Sequence, residues 1–163
     1  MATELENRLR SLGIELPTLP TPSTTYAPFI IANRTLYISG QFPMMGEVLH
    51  YPGKIGGNLS IEDAQKAAHL CALNILAQVK IACDESFERI NRCVRLCGFV
   101  NAVEDFSDYS KVMDEASNLM IQVFGNLGRH TRSAGGVSSL PHNACLEIDA
   151  IFALEDEEAT PFS

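Results

Sequence analysis

The chain has 163 residues, 46% of them hydrophobic, and a formal net charge of −8, which suits one soluble domain with a sizeable core. Its twelve Lys and Arg are dispersed among twenty acidic residues, so the basic patch that neutralises phosphates in nucleic-acid binders is missing. Without an apolar run of the roughly 20 residues that span a bilayer, and without the basic-then-apolar order of a secretory signal, a cytoplasmic protein with no membrane or nucleic-acid partner is expected.

Thr3 and Glu6 form a capping-box pattern, and Leu5, Leu9 and Leu12 recur at helical spacing until Gly13 supplies a stop. A short amphipathic helix follows. Pro17, Pro20 and Pro22 then impose an extended connector that runs over the surface. This divides the chain into a helix and proline-rich connector (1–23), a main domain (24–154) and an acidic tail (155–163) that contains Glu155, Asp156, Glu157 and Glu158.

Tyr26 to Ile31 and Thr35 to Ser39 are β-rich and separated by Ala32, Asn33 and Arg34, as in a hairpin. Gly40 marks a bulge, a close backbone approach or merely a turn. Residues 46–58 hold four glycines and one proline and read as a loop with a brief extended piece near Val48 to Tyr51; loops of this length often carry function. Ser60 caps a helix with Glu62 and Asp63 at its positive end, and Ala64, Ala67, Ala68, Cys71, Ile75, Leu76 and Val79 on its apolar side. Ile90 to Val100 reads as a strand and Asp105 to Phe124 as a second long helix, with Val112, Met113, Ala116, Leu119, Met120 and Val123 at apolar spacing.

Two strands close the chain. From Ala144 onward Leu146, Ile148, Ala150, Phe152 and Leu154 share one face, and Cys145, Glu147, Asp149 and Ile151 the other. If these strands form a tight hairpin around Pro141 to Asn143, Arg132 pairs near Phe152, roughly 16 Å along the strand from Glu147. The two could then share a ligand only through an altered register or a neighbouring chain. The order helix, β, β, helix, β, helix, β, β implies a two-layer α+β domain with its helices on one sheet face. The uncovered face is expected to meet another subunit.

Arg132 places a permanent charge in a weakly charged strand, and its planar fork matches a carboxylate. It either binds an anionic ligand or pairs structurally with Glu147, Asp149 or a helix carbonyl. The five cysteines, Cys71, Cys83, Cys93, Cys97 and Cys145, lack CxxC spacing and read as reduced, buried thiols. Cys93 and Cys97, four residues apart, would share a face, but His50, His69, His130 and His142 are scattered and no metal is implied. Ser133, Ser138 and Ser139 lack a nucleophile-elbow context. His142 is expected to be exposed, whereas His130 lies close enough to Arg132 to contribute to a pocket.

Tyr26, the Leu36 to Gln41 strand end, the Asn101 to Phe106 turn, and Arg132-Ser133 ahead of Leu140-Pro141 and Leu146 to Ala150 together resemble the YjgF or Rid family over residues 24–154. The resemblance implies a chorismate-mutase-like α+β domain with a mixed sheet, assembled as a homotrimer with ligand pockets at the subunit boundaries. The family's best-known branch, the reactive intermediate deaminases, hydrolyses enamines and imines to a keto acid and ammonia without a cofactor or metal. On this resemblance Arg132 holds the carboxylate of a small substrate, Glu147 positions or activates water, and Tyr26 and Gly40 line the opposite wall. Ala134 stands where that branch carries cysteine, and Gly135 and Gly136 follow it, so the pocket wall differs. The N-terminal helix, connector and 46–58 loop resemble a longer YjgF-like subgroup. The expected function is therefore a hydrolase acting as an imine deaminase. The alternatives are a non-catalytic trimer that binds small carboxylates or protects proteins, and the ribonuclease of the family's older name, endoribonuclease L-PSP, which the acidic balance opposes.

Overall fold

The computed structural model describes residues 2–85 and 87–156; the acidic run beyond Asp156 lies outside them. In chain order the elements are α1 (Glu4–Ser11), β1 (Phe29–Ala32), β2 (Thr35–Gln41), β3 (Met44–Met45), β4 (Val48–Leu49), α2 (Ile61–Ala82), β5 (Ile90–Asn101), α3 (Tyr109–Phe124), β6 (Thr131–Val137) and β7 (Leu146–Leu154). Both expected N-caps form: the Thr3 hydroxyl accepts from Glu6 N and the Ser60 hydroxyl from Asp63 N, each at 3.1 Å, with the acidic side chain bonding back. Arg8 Nη1 donates to Val123 O at 3.1 Å, which ties α1 to the end of α3. Asn33 and Arg34, both left-handed with φ of 50° and 57°, make the two-residue turn of the β1–β2 hairpin.

The main sheet has the order β1-β2-β7-β5-β6, antiparallel except for the parallel β5–β6 pair. The fold is thus α+β with a mixed sheet, as the sequence indicates. The hairpin between the last two strands does not form. Because α3 carries the chain back across the sheet, β6 starts at the same end as β5 and pairs with it in parallel. β7 then enters between β2 and β5. α3 also begins at Tyr109 rather than Asp105, because the segment before it is stitched elsewhere: Ile55 N donates to Asn101 O and Val103 N to Ile55 O, both at 3.0 Å.

The same stitching holds the 46–58 loop. Asn101 is buried; its Nδ2 donates to Gly53 O at 3.2 Å and Ala144 O at 3.1 Å, and its Oδ1 accepts from Lys54 Nζ at 2.7 Å. The core lies between the helices and one sheet face, where Leu36, Leu96, Val100, Leu146, Ile148 and Phe152 meet Ile75, Leu76 and Met113. On the other face Ile30, Tyr37 and Phe99 remain 55%, 47% and 38% exposed.

Cys93 and Cys97 do not share a face. The register shifts between Cys93 and Arg95, so Cys93 lies opposite Phe152 in the core and Cys97 opposite Asp149 on the open face. Burial pushes the Cys93 and Cys145 thiols up to about 12, which leaves them protonated and unreactive near neutrality. Among the described residues no helix is long and apolar enough to cross a membrane.

Candidate active site

Glu147 projects from the open face of β7, opposite Phe99 on β5. Across the other ladder Ile38 pairs with Ala150 and Gln41 with Ile148, so Ser39 and Gly40 together oppose the single residue Asp149. This bulge turns the Gly40 backbone toward Glu147. A Cβ at Gly40 would overlap the Glu147 carboxyl oxygen Oε1, and glycine is what permits the approach. Burial pushes the Glu147 carboxyl above the usual glutamate range, and the neighbouring Asp149 adds to the rise. Asp149 is itself raised by burial, against the pull of Arg95.

The two carboxyls face a cleft of about 470 Å³ that Tyr26, Tyr37, Ser39 and Gly40 also line. Tyr26 stands at its rim, 62% exposed. The segment that carries it is fixed over β2, since Ser39 Oγ donates to Ala27 O at 2.7 Å and Ser39 N to Pro28 O at 2.9 Å.

Arg132 and Ala134 lie elsewhere. They pair with Leu96 and Gly98 of β5, positions on the helix-covered face: Leu96 is fully buried, and a Cβ on Gly98 would strike Met113 of α3. Arg132 Nη1 donates to Asp114 Oδ1 at 2.8 Å and to Ser117 Oγ at 3.1 Å. Ser117 Oγ lies 2.9 Å from His130 Nε2, and His130 Nδ1 lies 2.6 Å from Gly128 O. A carbonyl only accepts, so Nδ1 carries a proton; in the neutral ring Nε2 is then left to accept from the Ser117 hydroxyl, whose oxygen accepts from Arg132. Within one chain, then, the arginine is paired with a carboxylate of α3, and Glu147 and Asp149 lie on the opposite sheet face. Both of these bonds use Nη1, out of the five donors a guanidinium carries. His142 is exposed, as expected.

Residues 6–154 match the family described as "YjgF/chorismate mutase-like, putative endoribonuclease". The chain belongs to the YjgF/chorismate mutase-like family. It is 37% identical over 149 residues to Protein TCP17 of Trypanosoma cruzi, covering 91% of this chain and 92% of that protein. It is 44% identical to the Agrobacterium tumefaciens protein Atu1372, whose crystal structure is described as of unknown function; the TM-score is 0.85, with 93% of this chain and 92% of that one covered. Escherichia coli TdcF, solved with bound serine, shares the fold at 21% identity with a TM-score of 0.60, over 87% of this chain and 99% of that one.

In this YjgF-family chain the five residues singled out by resemblance therefore fall into two groups. Tyr26, Gly40 and Glu147 meet at one cleft; Arg132 and Ala134 sit on the edge strand, beyond β5 and on the other face. Asp114 and Ser117, which fix Arg132, escape a reading of the sequence, although their spacing of three places them on one side of a helix. Among the described residues no group of three or more His, Cys, Asp or Glu is placed to hold a metal ion.

Proposed function

We propose that the Glu147 cleft hydrolyses small carboxylate-bearing imines, and the enamines in equilibrium with them, to the keto acid and ammonia. The observation that carries this reading is the half-buried Glu147 carboxyl, raised in proton affinity and laid against the Gly40 backbone beside an open cleft. A carboxyl tuned upward in this way suits general acid/base work near neutrality. Glu147 takes a proton from water as the water oxygen bonds to the imine carbon. It returns that proton to nitrogen to give a carbinolamine, then relays the carbinolamine hydroxyl proton to the same nitrogen, so that the C–N bond breaks, ammonia leaves and the carbonyl forms. Water and imine are consumed and keto acid and ammonia produced, with no redox change.

Such a substrate needs a cation for its carboxylate. Arg132 meets that need if a second copy of the chain brings its β6 edge, with Ala134 beside it, to the mouth of the cleft. The exposed Ile30, Tyr37 and Phe99 offer a surface for such a closed trimer. That the TdcF structure carries serine, a small carboxylate-bearing molecule, supports the substrate class at the level of fold.

A non-catalytic carboxylate-binding trimer is the second reading, favoured by the apolar Ala134 and the prior pairing of Arg132 with Asp114. It requires ligand-induced thermal stabilisation without turnover. A ribonuclease would have to overcome the net charge of −8. The deciding assay generates imines in situ with an amino acid oxidase and follows keto-acid release by wild type, Arg132→Ala and Glu147→Ala. Acceleration by wild type alone supports the proposal; the same background rate for all three overturns it.

A further inference from the structure

The Arg132 guanidinium is gripped through a single nitrogen. Nη1 donates to Asp114 Oδ1 at 2.8 Å and to Ser117 Oγ at 3.1 Å, which occupies both N–H bonds of that atom. Nε and Nη2 have no protein partner among the described residues, and neither atom is buried. These two nitrogens share one edge of the planar group, and their parallel N–H bonds match both oxygens of a carboxylate at once. An arginine kept only to tie β6 to α3 needs the Nη1 bonds and leaves this second edge without a use. The grip itself ends in the backbone. Gly128 O holds the His130 ring through Nδ1 at 2.6 Å, and in the neutral ring Nε2 accepts from Ser117 Oγ at 2.9 Å. Gly128 is packed directly on α3, since a Cβ there would overlap Met120 O. Each link therefore leaves the next a single orientation. Asp114 adds charge but little rigidity, because its side chain is 55% exposed and solvent screens the pair.

We propose that Ser117 and His130 are positioning residues: by clamping Arg132 through Nη1 they hold its Nε–Nη2 edge ready as a fork for the carboxylate of a small 2-imino or 2-oxo acid. Fixing the side chain before the ligand arrives removes an ordering cost that a free arginine would incur on binding. The Ser117 hydroxyl does this without cancelling the positive charge, as it is neutral. That the carboxylate belongs to an imine rests on the hydrolase reading; the clamped fork does not.

The test titrates the full chain, its arginines isotope-labelled, with pyruvate and with its neutral amide, pyruvamide, while the Arg132 Nε–H signal, assigned by its absence from Arg132→Ala, is followed by NMR. Pyruvate is expected to shift the signal saturably and pyruvamide not to shift it. Ser117→Ala should weaken pyruvate binding about fivefold, and Ser117→Thr, which keeps the hydroxyl, should stay within about twofold of wild type. In imine turnover Ser117→Ala should raise KM more than it lowers kcat, since the fork holds substrate and transition state alike. Should Ser117→Ala fail to fold, His130→Phe serves, with about a threefold loss of pyruvate binding expected. No shift from pyruvate, an equal shift from pyruvamide, undiminished binding in the folded variant, an equal loss in Ser117→Thr, or a loss confined to kcat overturns the proposal. Pyruvate binding that depends on Ser117 in a protein that turns over no imine would refute the hydrolase and leave the clamped fork standing.

Discussion

Glu147 Oε1 occupies the space in which a side chain on Gly40 would begin. The glycine is needed for room and not for conformation, because its backbone is outside the left-handed region. Gly40→Ala should therefore displace the Glu147 carboxyl at a cost of about 1–3 kcal/mol, the usual range for overpacking. In a Glu147→Ala background the same change should cost much less, as the displaced atoms are gone. Urea unfolding of the four proteins of this cycle measures the coupling.

The raised affinity of Glu147 for its proton has a consequence for stability. The folded state holds the proton more tightly than the unfolded chain, so the contribution is complete below the ordinary glutamate value of 4.5 and is lost as pH rises through the folded value. Glu147→Gln stays neutral throughout. The variant should gain melting temperature relative to wild type as pH rises from 4 to 8, as thermal unfolding across that range would reveal. A difference that is flat with pH, or that falls, would contradict the burial described for this carboxyl.

Two polar side chains should respond very differently to truncation. Asn101→Ala strips partners from Lys54 Nζ and from the carbonyls of Gly53 and Ala144 and should cost about 2–3 kcal/mol, because buried groups are left unpaired. Arg132→Ala breaks a pair whose aspartate is largely solvent-exposed and should cost under about 1 kcal/mol. Denaturant midpoints of the two variants check the contrast. Loss of imine turnover in a fully stable Arg132→Ala protein would separate its role in function from its role in the fold.

The alternation from Leu146 to Leu154 is legible in the sequence because a strand covered on one side must alternate, and the buried face is the apolar one. The caps at Thr3 and Ser60 are legible for an equally local reason. Pairing partners are not local. The position of β6 depends on α3 returning the chain to the starting end of β5, and nothing near Arg132 encodes that. Nor does the spacing of Cys93 and Cys97 disclose a bulge between them. Gly40 is an intermediate case: the glycine announces a special position, but only the register opposite Asp149 identifies it as a bulge.

The central claim is that one cleft draws Glu147 from one copy of the chain and Arg132 from another, since a single chain holds them on opposite faces of its sheet. Mixing two inactive variants tests it most directly. Arg132→Ala and Glu147→Ala proteins, co-refolded in equal amounts, should form some clefts with both residues intact. Random assembly of a closed ring puts an intact Glu147 and an intact Arg132 together in about a quarter of the sites. The expected result is recovery of about a quarter of wild-type imine hydrolysis. A mixture no more active than either variant alone, with subunit exchange verified, would contradict the shared cleft.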